Sequence, residues 1–147
     1  MKKSILLVAC TLLMSFVTKA QTADKPAPNP NAAEMTFDAL EYNFGTIKQG
    51  DVVNREFEFT NSGKEDLIIT NATGSCGCTV PTYPKEAIKK GAKAVIKVTF
   101  NSAGKMGMQD KTVTITSNAK NSPVILHLKG TVEAPAPVAN PATTPGK

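Results

Sequence analysis

The segment VNREFEFT, residues 53–60, decides the fold class of this chain. Val53, Phe57 and Phe59 fall on one face of an extended chain. The residues on either side of Phe57 and of Phe59 are polar and fall on the opposite face. Arg55 interrupts the apolar face, which places this part of the segment near the end of a sheet. Alternation with a period of two predicts a half-buried β-strand and does not fit an amphipathic helix.

The same alternation recurs along the chain between residues 35 and 132, where no helical period persists. Gly, Asn, Asp and Pro separate the alternating segments and indicate turns. About seven short strands with regular turn signals predict an all-β fold, a single immunoglobulin-like antiparallel β-sandwich. The other strands are expected within segments 35–47, 67–72, 94–100, 112–116 and 124–129, the first of them interrupted around residues 40–43.

The two ends of the chain differ in composition from its middle. Residues 21–34 and residues 134–147 are rich in Pro and Ala and poor in large apolar side chains. Such a composition predicts a flexible linker and a disordered tail, respectively, because it offers too little apolar surface to bury. The folded domain is therefore expected at residues 35–133, and a length of about 100 residues is typical of one sandwich.

Residues 1–20 have the features of a secretory signal peptide: Lys2 and Lys3 at the positively charged start, an apolar run and a small residue, Ala20, at the cleavage site. Cleavage there would start the mature chain at Gln21 and deliver it to the periplasm or the medium. The apolar run is too short for a bilayer, so no membrane span is expected in the mature chain. In an alternative interpretation, residues 7–10 form a lipobox and Cys10 carries a lipid anchor.

The net charge gives little reason to expect a nucleic-acid partner. Removal of residues 1–20 takes away three lysines and no acid, so the formal charge falls from +5 to +2. The remaining lysines are interspersed with acidic residues, and only Lys89, Lys90 and Lys93 cluster. A nucleic-acid-binding protein usually presents a continuous basic stripe, which this pattern lacks.

Signal cleavage would leave Cys76 and Cys78 as the only cysteines, and an exported protein folds where disulfides form. In a regular strand their Cα atoms would lie about 6.6 Å apart, whereas a disulfide prefers about 5.5–6 Å. Bridging therefore requires a local bend, which Gly77 permits because it has no Cβ. Closing so short a loop would stabilise the fold by well under the ~3 kcal/mol expected for a 15-residue loop. The bridge would therefore add little stability and could serve as a redox pair.

Three roles are open for Cys76 and Cys78. They could form a structural disulfide or pack at a sheet edge, they could act in thiol redox chemistry, or they could bind Cu(I) with Met106 and Met108. Copper would be a cofactor in the third case only, and in the other two cases no cofactor is expected. Structural zinc is excluded because it needs four ligands, and the mature chain adds only His127, which the alternation places on an outer face.

Several short motifs follow one another in a characteristic order: Phe44-Gly45-x-Ile47, Phe57-x-Phe59-x-Asn61-x-Gly63, Leu67-x-Ile69, Ser75-Cys76-Gly77-Cys78-Thr79, Ser117-Asn118 and Leu128-x-Gly130. Together they resemble the DUF1573 family, and the resemblance covers nearly all of residues 36–132. It implies an exported bacterial immunoglobulin-like domain, similar to those of Hydin and major sperm protein. The resemblance implies no catalytic residue for this chain, because the family has no assigned catalytic residues. One departure is Lys90, where the family often has proline.

These observations predict a protein that is not an enzyme, because no acid, histidine and nucleophile are spaced as in a catalytic triad. The expected role is that of a structural or protein-interaction module of the cell envelope, with another envelope or extracellular protein as its partner. The alternative is a thiol redox or Cu(I)-binding protein that uses Cys76 and Cys78. The sequence predicts no oligomeric state.

Overall fold

The computed structural model describes residues 29–135, in which eight strands occur and no helix. The expected signal peptide, the Cys10 lipobox, most of the linker and most of the C-terminal tail lie outside the described residues. In chain order the strands are β1 Met35–Phe37, β2 Glu41–Lys48, β3 Val52–Asn61, β4 Ile69–Gly74, β5 Thr79–Thr82, β6 Lys93–Asn101, β7 Gly107–Ser117 and β8 Val124–Glu133.

The strands form two four-stranded sheets, which confirms the expected all-β sandwich. The first sheet has the order β1-β3-β6-β5, and the second has the order β2-β8-β7-β4. Every pairing is antiparallel except that of β2 with β8, which is parallel. The predicted strand within residues 35–47 is thus two strands, β1 in one sheet and β2 in the other.

The crossing between the sheets takes place within three residues. The N–H of Asp38 donates to the Glu58 carbonyl at 3.2 Å, and the Leu40 carbonyl already accepts from the N–H of His127 at 2.8 Å. The chain therefore leaves the first sheet directly after Phe37 and enters the second before Glu41. The predicted strand is therefore interrupted at residues 38–40 and not around residues 40–43, because residues 41–43 already pair with β8.

The core lies between the two sheets and is filled by the alternating apolar residues. Phe57 faces Ile96 in the β3–β6 pairing, and both side chains are buried. Arg55 remains exposed, and its guanidinium lies 4.6 Å from the centroid of the Tyr42 ring in the opposite sheet. The core side chains that the alternation predicted are Phe57, Phe59, Ile96, Val98, Phe100, Val113, Ile115, Val124, Leu126 and Leu128.

A buried asparagine fixes the turn after β3. Asn61 is fully buried, and its Nδ2 atom donates to the carbonyls of Glu65 at 2.8 Å and Ile88 at 2.9 Å. Its Oδ1 atom accepts from the N–H groups of Gly63 at 3.1 Å and Glu34 at 3.4 Å. All four hydrogen-bonding positions of the amide are thereby used, which is what a buried polar side chain requires.

Candidate functional site

The two cysteines lie in the turn that carries the chain from β4 in one sheet to β5 in the other. Cys76 and Cys78 form a disulfide, with their Cα atoms 5.2 Å apart. The N–H of Thr79 donates to the Cys76 carbonyl at 3.1 Å, which closes a four-residue turn around the pair. This turn supplies the bend that the spacing of the cysteines requires.

The bend does not depend on Gly77 in the way the sequence predicted. Gly77 is not among the glycines with a positive φ, and a Cβ built on it would meet no atom within 4 Å. Glycine is required at position 74 instead, because a Cβ on Gly74 would overlap the Thr79 carbonyl. The backbone of β4 approaches that of β5 closely at this point, and only glycine allows it.

Hydrogen bonds hold the cysteine turn to both sheets. The N–H of Ser75 donates to the Thr112 carbonyl at 2.8 Å, and the N–H of Thr112 donates to Ser75 Oγ at 3.2 Å. On the other side, the N–H of Asn101 donates to the Cys78 carbonyl at 2.9 Å. Backbone contacts thus position both cysteines independently of the bond between their sulfur atoms.

The surroundings of the two sulfur atoms differ. Both cysteines are half-buried, but only Cys78 packs against the hydrophobic core. The buried side chain of Thr79 places its Oγ1 atom 3.6 Å from Cys76 Sγ and 3.9 Å from Cys78 Sγ. A hydroxyl group can donate to a thiolate, so Thr79 is able to stabilise the reduced and ionised form of either cysteine.

The two methionines of the copper hypothesis are exposed, Met106 in the loop before β7 and Met108 within β7. Met108 precedes Thr112, the partner of Ser75, by four residues, which is about 13 Å along a strand. The structure therefore does not bring Met108 together with the cysteines. Within residues 29–135, no three His, Cys, Asp or Glu side chains form a group able to hold a metal ion.

His127 lies on the outer face of the second sheet, as the alternation predicted. Its Nδ1 atom is 2.9 Å from Asp110 Oδ1, and Lys129 Nζ is 2.8 Å from Glu41 Oε1. The hydrogen bond to Glu41 raises the pKa of Lys129, and the charges of Glu41 and Asp110 add to this effect. These partially exposed pairs contribute little stability. The sequence did not predict them because their members come from three different strands.

Two of the four sheet edges are short strands, and a third edge, β4, is capped at one carbonyl. β1 has three residues, and the amide of Asn121 caps it by donating to the Met35 carbonyl at 2.7 Å and accepting from its N–H at 3.1 Å. β5 has four residues and contains Pro81. At β4, the Tyr83 hydroxyl donates to the Thr70 carbonyl at 3.3 Å. Short strands, proline and side-chain caps are common ways to block an edge.

The fourth edge, β2, is eight residues long and borders only β8. The N–H of His127 donates to the Leu40 carbonyl, so the backbone groups of Glu41 and Asn43 point away from β8. A bulge between Asn43 and Thr46 interrupts the pairing and leaves a groove of about 560 Å³ on the adjoining sheet face. Met108, 88% exposed, lines this groove. We call this edge and groove the β2 edge surface.

Comparisons with known proteins agree with this architecture. The family model described as "Protein of unknown function (DUF1573)" matches residues 35–132. Among curated proteins, none matches the chain. No helix of the described residues has the length and apolar character needed to cross a membrane.

Solved structures of low sequence identity share the fold. A protein of unknown function from Porphyromonas gingivalis W83 matches with a TM-score of 0.62 at 15% identity over 74% of this chain, which spans about half (51%) of that protein. The ASH/PapD-like domain 7 of human CEP192 matches with a TM-score of 0.60 at 10% identity, covering 90% of this chain and 100% of that domain. The Vibrio cholerae VesB protease matches with a TM-score of 0.53 at 15% identity, covering 68% of this chain and 32% of the protease.

Proposed function

The chain belongs to the DUF1573 family, and we propose that it is an exported, non-catalytic module that binds another protein of the bacterial cell envelope or its surroundings. The observation that carries this proposal is the β2 edge surface. Two edges of the sandwich are short and β4 is capped at the Thr70 carbonyl, whereas β2 offers eight residues and borders only β8.

The β2 edge surface can take up an extended segment of a partner protein. The outward N–H and C=O groups of Glu41 and Asn43 match the backbone of an added strand, which is the basis of recognition by β-augmentation. Main-chain hydrogen bonds provide affinity in this mode, and pockets for alternate side chains provide specificity. The groove beside the bulge, with Met108 exposed at its wall, offers such a pocket for an apolar side chain.

A matched pair of substitutions at Asn43 tests this proposal. Asn43→Pro removes the outward N–H and obstructs an incoming strand, whereas Asn43→Ala keeps the N–H and loses the same side chain. The two variants serve as baits, beside the unaltered chain, for capture from an envelope extract. We expect a protein that is retained by the unaltered chain and by Asn43→Ala but lost with Asn43→Pro. Capture of the same proteins by all three baits would contradict the proposal.

Export is tested separately, by mass spectrometry of the protein recovered from the producing bacterium. We expect a mature chain that begins at Gln21. A chain that begins at a lipid-modified Cys10 would show a membrane-anchored module, and a chain that retains residues 1–20 in the cytoplasm would contradict export.

A further inference from the structure

We propose that Cys76 and Cys78 form a reversible two-electron redox couple that exchanges with a dithiol protein, and that Thr79 stabilises the thiolate released in this exchange. The proposal rests on the geometry of the cysteine turn and is independent of binding at the β2 edge surface. It assigns chemistry to a pair of reactive side chains, within residues 29–135, that the interaction function does not use.

The turn keeps the two cysteines together in either oxidation state. The Thr79 N–H to Cys76 carbonyl bond, and the backbone bonds of Ser75 and Cys78 to the two sheets, do not involve sulfur. The bridge closes a loop of only three residues, so it adds little conformational restraint to what the hydrogen bonds already impose. A disulfide that is not needed to hold its surroundings in place can open and close within the native fold.

The exchange proceeds in two balanced steps. A thiolate of the partner dithiol attacks Cys76 Sγ, forms a mixed disulfide with it and releases Cys78 as a thiolate. The second thiolate of the partner then attacks the partner's other sulfur atom, which is bonded to Cys76 Sγ in the mixed disulfide, and releases Cys76 as a thiolate. The partner is oxidised to a disulfide, and Cys76 and Cys78 are reduced, taking up two electrons and two protons. Cys76 is the sulfur attacked because Cys78 packs against the core and Cys76 does not.

Thr79 is placed to assist the departure of the thiolate. Its hydroxyl oxygen lies within 4 Å of both sulfur atoms, and its side chain is buried, which keeps the hydroxyl in position. Donation from this hydroxyl to a thiolate lowers the pKa of the thiol, and a leaving thiol of lower pKa departs faster. Thr79→Val removes the hydroxyl at nearly constant volume, and Thr79→Ser retains it.

The test follows reduction of the chain from Gln21 onward, which lacks Cys10, by dithiothreitol and by a reduced protein with a Cys-x-x-Cys dithiol, in native buffer. Free thiols are trapped by alkylation and counted by mass spectrometry. We expect both cysteines to be reduced without denaturant, and Thr79→Val to slow the reduction about tenfold, as loss of one hydrogen bond to a charged group predicts. In the reduced chain, Thr79→Val should raise the thiol pKa, because the hydroxyl no longer donates to the thiolate, and the pH profile of alkylation measures this change. Thr79→Ser should behave as the unaltered chain does.

Single-cysteine variants identify the sulfur that is attacked. Cys78→Ser leaves Cys76 alone, and we expect it to form a mixed disulfide with an aromatic disulfide reagent about ten times faster than Cys76→Ser does. Reduction only under unfolding conditions, or equal rates and pH profiles for Thr79→Val and Thr79→Ser, would overturn the proposal. Equal reactivity of the two single-cysteine variants would overturn the assignment of Cys76 as the sulfur attacked. Far-ultraviolet circular dichroism of each variant confirms that the comparisons concern folded chains.

Discussion

Asn61 Nδ2 donates to the Ile88 carbonyl across 2.9 Å in the fully buried interior, and this bond ties the end of β3 to the loop before β6. The same amide also bonds to Glu65, Gly63 and Glu34, so one side chain organises the turn and the chain segment that leads into β1. Gly63 is part of this arrangement because a Cβ there would overlap the backbone of the segment preceding β1. The motif Asn61-x-Gly63 therefore has a structural explanation.

Asn61→Asp should lower the free energy of unfolding by about 3 kcal/mol. A carboxylate cannot donate to the carbonyls of Glu65 and Ile88, and a buried polar group left unpaired costs about 1–3 kcal/mol. Urea denaturation measures the change. Asn43→Asp, on the exposed β2, is the matched control and should change stability by less than about 0.5 kcal/mol. Similar values for the two variants would contradict this account of Asn61.

Gly74 and Gly77 should respond differently to the same substitution. Gly74→Ala places a methyl group against the Thr79 carbonyl and should lower the free energy of unfolding by about 2 kcal/mol, because backbone has to move. Gly77→Ala meets open space at a φ outside the left-handed region, so we expect a change of less than about 0.5 kcal/mol. Thermal and urea unfolding of both variants provide the comparison. A larger loss at Gly77 than at Gly74 would refute the assignment.

Gly130 and Phe44 should be energetically coupled. A Cβ on Gly130 would overlap the Phe44 ring and also the Gly45 carbonyl. The centroid of the Phe44 ring lies 5.6 Å from that of Phe100. Gly130→Ala should therefore be destabilising in the unaltered chain and less so when Phe44 is replaced by Ala, although the overlap with the Gly45 carbonyl remains in both backgrounds. A double-mutant cycle should give an interaction energy of about 1–3 kcal/mol. Additive effects of the two substitutions would show that the ring does not require the glycine.

The period-two pattern was sufficient to predict the fold class and most of the core. Side chains such as Phe57, Phe59 and Val98 alternate with polar residues, and each is buried in the structure. The pattern succeeds because a strand with one face on a core has a single register compatible with burial. The same reasoning placed His127 on an outer face.

The crossing between sheets and the parallel pairing of β2 could not be predicted in this way. Alternation records which face of a strand is buried, but it carries no information about which strand lies beside it. The segment around Leu40 was therefore predicted to interrupt a single strand, whereas it connects β1 in one sheet to β2 in the other. For the same reason the spacing of Cys76 and Cys78 indicated a bend, but not the hydrogen bonds to β6 and β7 that hold it.

The pKa of Lys129 should fall toward its ordinary value in Glu41→Gln. The hydrogen bond to Glu41 is the main cause of the raised pKa, so Asp110→Asn should have a smaller effect. Because the folded-state pKa is raised, the pair contributes to stability below the pKa of unfolded lysine, about 10.4, and this contribution disappears as the pH rises through the folded-state pKa. Nuclear magnetic resonance titration of the lysine side chains measures the shift. Glu56→Gln, which should lower the pKa of Lys97 instead, is the control.

Reduction of the Cys76–Cys78 disulfide should lower the free energy of unfolding by at most about 1.6 kcal/mol. This limit follows from the chain entropy of a three-residue loop, and the hydrogen bonds of the turn remain after reduction. Urea denaturation of the oxidised and the reduced chain measures the difference without changing any side chain. Cys76→Ser/Cys78→Ser should match the reduced chain to within about 0.5 kcal/mol. Removal of a structural disulfide commonly lowers the free energy of unfolding by about 3 kcal/mol or more. A loss of that size on reduction would show that the Cys76–Cys78 bridge has a structural role.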